Sequence, residues 1–145
     1  MSKLTVRVQK LWEGLPKLAY EHEGDSGIDL YAREDVVVNA GERKLIGTGI
    51  KIALPKGYEA QVRPKSGLAL KHGITVLNTP GTVDSCYRGE VAVILMNHGS
   101  APYKVEKGKK VAQLVFAKVE EAELEFVQEL DGTTRNSGGF GSTGI

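Results

Sequence analysis

The chain has 145 residues, enough for one domain with a real hydrophobic core. Its formal net charge of +1 excludes a broad basic face for bulk nucleic-acid binding, and its single cysteine, Cys86, excludes a disulfide framework or a cysteine metal site. The N-terminus lacks a secretory h-region and no apolar run is long enough to span a bilayer, so a cytoplasmic protein without direct nucleic-acid or membrane contact is expected.

Taken in chain order, the pattern is mostly period two. Leu4, Val6 and Val8 alternate with Thr5, Arg7 and Gln9, which predicts a half-buried strand. Further strands are expected at 36–38, 44–46, 50–54 and 58–62, separated by turn pairs such as Ala40-Gly41 and Pro55-Lys56-Gly57. Ser66 to Leu70 follows Pro64 and reads as one helical turn with Ser66 as N-cap. Arg63 and Lys65 stand just before it, and a helix start preceded by cations suits an anion. An ordinary capped turn fits the same residues.

Strands are expected again at 75–77, 91–96 and 111–116, with a last one over 124–127. Between Leu77 and Val91 the turn signal at Pro80-Gly81 suggests a hairpin, whose tip exposes backbone donors and acceptors that can read a base edge. Many short strands between Gly and Pro turns make the chain all-β, a distorted barrel or jelly roll with one short helix. The domain is expected over 1–130, with a flexible Gly-rich arm over 131–145.

That arm holds the sequence Arg135-Asn136-Ser137-Gly138-Gly139-Phe140-Gly141-Ser142-Thr143-Gly144-Ile145. Such a segment cannot build a core, since ordered glycine loses more backbone freedom than any other residue. Glycine does let amide groups approach an anion, arginine offers a forked phosphate partner, and a lone aromatic offers a face for a base. A flap over a nucleotide and a functionless terminus both fit the tail alone. Asp29, within Ser26 to Ala32, and Asp84, within Gly81 to Glu90, are the carboxylates whose apolar or turn contexts stand out. Each also suits a turn carboxylate that caps its own backbone.

Together these segments resemble the five ordered motifs of the trimeric dUTPases. Ser26 to Ala32 resembles the first, Arg63 to Ala69 the second, and Gly73 to Glu90 the third. Gly108 to Leu114 resembles the fourth and Arg135 to Gly144 the fifth. Any one is weak, but five in order are specific. The resemblance implies hydrolysis of dUTP to dUMP and pyrophosphate by water attacking the α-phosphorus, which keeps uracil out of DNA and supplies dUMP for thymidylate synthesis.

By similarity, Asp84 accepts from the deoxyribose 3′-OH and activates the water, and Gln113 helps position that water. Tyr87 packs where a 2′-OH would need room. Asn78 and the backbone near Thr82 and Val83 bind uracil. Lys65, Ser66 and Gly67 cradle phosphate oxygens, while Asp29 holds Mg²⁺ through coordinated water. Arg135 binds the γ-phosphate, aided by Gly141, Ser142 and Thr143, and Phe140 covers the base. The family also implies a homotrimer with each arm closing over a neighbour's site.

Lys65 and Lys110 stand where the family usually has arginine, so charge is kept and bidentate geometry is lost. A related dCTP deaminase would need a glutamate set against cytosine C4, and the Tyr87-Arg88-Gly89-Glu90 run with a complete tail favours the dUTPase. His22, His72 and His98 lack metal-ligand spacing, and Trp12 is expected to pack.

Overall fold

Alternation decides which strands form and which way they face. The computed structural model describes residues 3–144; Met1, Ser2 and Ile145, the ends of the expected body and arm, lie outside the described residues. The elements are β1 (Arg7–Lys10), β2 (Gly27–Tyr31), β3 (Val36–Val38), β4 (Arg43–Ala53), β5 (Tyr58–Arg63), α1 (Ser66–His72), β6 (Ile74–Val76), β7 (Gly81–Val83), β8 (Glu90–Asn97), β9 (Tyr103–Val105) and β10 (Lys110–Lys118). One four-stranded sheet runs β1-β4-β8-β6, a second β2-β10-β5-β7, and β3 pairs with β9; every pairing is antiparallel.

Strand β8 shows the logic most clearly, since its residues alternate strictly between half-buried and buried. Val91, Val93 and Leu95 point inward with Ile46 and Ile50 of β4, and join Leu30, Ala60, Val62, Ala112 and Leu114 from the other sheet in one core. Burying such a side chain contributes about 1.5–3 kcal/mol, against about 0–1 kcal/mol for an exposed ion pair, so this layer carries the fold. The outward residues of β8, Ala92, Ile94 and Met96, are also apolar, and exposed Leu45 lies opposite Ile94.

Several sequence expectations shift. The first strand lies over residues 7–10 rather than from Leu4, because only those residues pair with β4. The two strands expected at 44–46 and 50–54 are one, β4, interrupted by an irregularity: Gly47 faces Ala92 and Lys51 faces Glu90. Gly49, at φ 75°, turns the chain there. Ser66 is not the N-cap but the first helical residue; Lys65 occupies the cap position and makes no side-chain cap bond. No strand forms over 124–127: the strands end at Lys118, and Leu124, Phe126 and Leu130 stand 75%, 92% and 81% exposed. Alternation there is real, but the described residues offer it no partner. Trp12 does pack against the core, with the Lys107 ammonium 5.0 Å from its ring centre.

Candidate active site

Strand register brings together what the sequence separates. In the second sheet Gln113 of β10 lies opposite Asp29 of β2 on one side and Arg63 of β5 on the other. Three polar residues from distant segments therefore share one row across three strands. Beyond Arg63 the chain turns through Pro64 into α1, and Gln113 Nε2 donates to the Pro64 carbonyl at 2.9 Å. Gln113 is thus a strut under the turn that presents Lys65, Ser66 and Gly67. This strut explains Gly27: a Cβ there would stand 2.2 Å from Gln113 Oε1. A 420 Å³ open cavity lies here, lined by Arg63, Ser66, Thr79 and Gln113 among others.

Asp29 is only 8% exposed. Lys65 Nζ donates to its Oδ1 and Lys110 Nζ lies 3.0 Å from its Oδ2; Lys110 also reaches Glu21 at 3.1 Å. Burial alone would push the Asp29 carboxyl up, but the hydrogen bonds and charges of the two lysines outweigh it and hold the carboxyl below its ordinary range. The same bond to Asp29, with help from Glu21, pushes the Lys110 ammonium well above the usual lysine value.

A folded-state pKa below the unfolded one means stability that is complete above the ordinary carboxylate range, near ~4, and lost as pH falls through the lower folded value. We therefore expect Asp29→Asn to lower stability by about 1–3 kcal/mol at neutral pH, because two ammoniums lose their counter-charge. The variant should also flatten the acid limb of the stability curve below about pH 4. Thermal melts across pH check this, and acid limbs that run parallel in the two proteins would remove Asp29 from that role.

Both Asp29 oxygens already accept from ammonium groups, and among the described residues no three His, Cys, Asp or Glu side chains gather to hold a metal. The donor set does not suit a resident inner-shell magnesium. It does suit a magnesium carried in on phosphates and touched through water, since that ion keeps several waters and needs few protein carboxylates.

The second half of the site is the hairpin. β7 pairs with β5 through Gly81, Thr82 and Val83 and is the edge of its sheet, so its other side offers unpaired backbone groups. A 160 Å³ cavity opens there, lined by Asn78, Gly81, Thr82, Val83 and Tyr87 among others. Asp84 follows directly, exposed, with its carbonyl accepting from Tyr87 N at 3.1 Å. Tyr87 is exposed, and its hydroxyl donates to the Glu90 carbonyl at 2.9 Å.

The two cavities share no lining residue, and Asp84 lines neither of them. The tail stands apart from both. Every hydrogen bond found for residues 131–144 stays within that stretch, such as Arg135 Nε to the Gly138 carbonyl at 2.6 Å. Phe140 is fully exposed, and Gly141, Ser142 and Thr143 are exposed. Sequence reasoning passed over Lys110's grip on Asp29, the Gly27 contact and Glu90; only the strand register reveals them.

Residues 15–144 match the family model described as dUTPase. The chain belongs to the dUTPase family. Membership makes it an enzyme, a dUTP diphosphatase, and accounts for its antiparallel jelly-roll fold. It is 57% identical over 144 residues to the deoxyuridine 5′-triphosphate nucleotidohydrolase of Gloeothece citriformis, with 98% of each chain covered. It is 58% identical over 131 residues to the enzyme of the same description from Clostridium acetobutylicum, covering 90% of this chain and 89% of that one. Among solved structures, the Staphylococcus bacteriophage 80alpha dUTPase with dUPNHPP superposes with a TM-score of 0.89 at 25% identity, covering 97% of this chain and 99% of that one. No helix among the described residues is long and apolar enough to cross a membrane.

Proposed function

We propose that this enzyme hydrolyses dUTP at the α-phosphorus, with Asp84 as the base and the row around Gln113 as the triphosphate floor. The observation that carries the proposal is an edge-strand pocket whose strand runs directly into the exposed Asp84, together with a separate cavity lined by Arg63, Ser66 and Gln113. The base lies along β7, where backbone groups and Asn78 meet uracil's own donor and acceptor pattern. A cytosine would present the wrong pattern and thymine's methyl would crowd the pocket. Tyr87 lies under the sugar and leaves no room for a 2′-hydroxyl.

Asp84 accepts from the 3′-hydroxyl and orients a water. That water's oxygen forms a bond to the α-phosphorus as the bond from that phosphorus to the bridging oxygen breaks. The water's proton passes to Asp84, and pyrophosphate departs with the bridging electron pair. Gln113, fixed by Pro64, presents its remaining amide proton toward the α-phosphate and the water. Lys65, Ser66 and Gly67 face the phosphate oxygens, the last two through amides at the uncapped start of α1. Asp29, reached through coordinated water, would hold a magnesium ion that neutralises charge on the leaving pyrophosphate. Arg135 and the hydroxyls and amides of Gly141, Ser142 and Thr143 take the γ-phosphate, and Phe140 covers the base.

A homotrimer completes this site. Three features support it: the two half-sites lie in different pockets of one chain, residues 131–144 bond only among themselves, and the outer face of β8 is apolar. In a trimer the exposed Leu124, Phe126 and Leu130 gain a neighbour to pack on, while the arm from 131 onward reaches that neighbour's site. The cytoplasm, where dUTP is met, is the matching location.

Purified protein given Mg²⁺ with dUTP, dTTP, dCTP or UTP in turn tests the proposal. Pyrophosphate released from dUTP alone, without ammonia from dCTP, is the expected result. Ammonia release would reassign the protein to deamination, and nucleotide binding without pyrophosphate would make it a binding module.

A further inference from the structure

Tyr87 is posed by two neighbours that the nucleotide does not need to touch. Its ring lies across Gly89 so closely that a Cβ there would stand 2.2 Å from the phenol oxygen and 2.4 Å from Cζ. Real side chains never approach so near, so any residue but glycine at 89 must swing the ring away. The phenol's hydrogen bond ends on the main-chain carbonyl of Glu90, and Glu90 is itself pinned. Its Oε1 accepts from Arg33 Nη1 and its Oε2 from the Gly49 amide, both at 2.9 Å. A Cβ on Gly47 would stand 2.6 Å from Oε2, so the carboxylate is seated in the irregular stretch of β4. The buried Thr48 hydroxyl donates to the Val91 carbonyl beside it.

The start of β8 is therefore fastened to β4 by side chains where the backbone ladder is irregular. The fastening runs from Arg33 and Gly49 through Glu90 to the Tyr87 hydroxyl. We propose that Gly89 and Glu90 are positioning residues that fix the pose of Tyr87 and so set discrimination against ribonucleotides. This rests on the reading of Tyr87 as the residue beneath the sugar. A ring displaced by even an ångström opens the space that a 2′-hydroxyl needs, and selectivity built on exclusion is that sensitive to placement.

The test compares kcat/KM for dUTP and for UTP in the full-length chain and in Gly89→Ala, Glu90→Ala, Glu90→Gln and Tyr87→Ala. Gly89→Ala and Glu90→Ala should lower the dUTP-to-UTP ratio roughly ten- to a hundredfold. Glu90→Gln keeps an acceptor for the Gly49 amide and should stay within about threefold of the parent ratio. Melting temperatures separate this from a loss of fold; Gly89→Ala gives up only the Tyr87 hydroxyl bond and leaves the Glu90 carboxylate on Arg33 and Gly49, so it keeps the measurement open if Glu90→Ala unfolds. An unchanged ratio in Gly89→Ala, with Tyr87→Ala lowering it, overturns the positioning role. An unchanged ratio in Tyr87→Ala overturns the sugar-gate reading itself.

Discussion

Asp84→Asn is expected to lower kcat for dUTP by roughly 10²–10⁴-fold, the range for removing a general base. That corresponds to about 3–5 kcal/mol of transition-state stabilisation. Binding of a non-hydrolysable dUTP analogue should change by no more than about threefold, since asparagine keeps the shape and can still meet the 3′-hydroxyl. The fold should not notice the change. Asp84 is exposed, its side chain has no intramolecular partner among the hydrogen bonds found for the described residues, and the turn to Tyr87 uses its backbone carbonyl. Pyrophosphate release and calorimetric titration with the analogue check the two halves separately. Full turnover would take Asp84 out of the reaction. Lost analogue affinity with normal melting would make it a binding group rather than a base.

The exposed turn that carries Asp84 can be read from the sequence and the Asp29 cluster cannot, and the difference is distance along the chain. Asp84, Tyr87 and the edge strand before them fall within one short segment, so turn chemistry and side-chain types read together. Asp29 meets Lys65, Lys110 and Gln113 only because β2, β10 and β5 pair in one particular register, and no local pattern encodes it. The strands divide in the same way. β5, β8 and β10 carry runs of alternating or continuous apolar residues and lie where expected. β2 carries a carboxylate at its centre and went unread as a strand, because its buried charge is tolerated only by two lysines from elsewhere. β9 is three residues long and too short for periodicity to declare. Gly47-Thr48-Gly49 lies between the strands expected at 44–46 and 50–54, yet β4 continues through it because Glu90 and Thr48 replace the lost ladder contacts with side-chain ones. The opposite error at 124–127 has the reciprocal cause. Alternation says that a face wants cover, and it cannot say whether the cover belongs to the same chain.

Deleting residues 134–145 should abolish most catalysis, roughly 10²–10³-fold in kcat/KM for dUTP, while leaving the melting temperature of the body unchanged. Residues 134–144 bond only among themselves and to the adjoining Thr133, none of them joins the core, and Phe140 exposes its whole ring. Asn136 at φ 47° and Phe140 at φ 42° also sit in the left-handed region, which costs a side-chain-bearing residue about 1–2 kcal/mol. Ordering each residue against the body costs about 1–2 kcal/mol more in backbone entropy, so without ligand nothing on this chain favours closure. A triphosphate changes that balance, because Arg135 and the tail amides gain charged acceptors and Phe140 gains a base to cover. The contribution should then appear in the closed complex, where bulk water is excluded and the attack geometry is held. Arg135→Ala should reproduce the loss mainly through the triphosphate end, raising KM for dUTP while leaving dUMP affinity unchanged. Phe140→Ala should weaken dUTP and dUMP alike, because both carry the base. A truncated protein that melts lower, or that turns over dUTP at the parent rate, would show that the tail serves the fold or nothing at all, and closure would then have to come from elsewhere in the assembly.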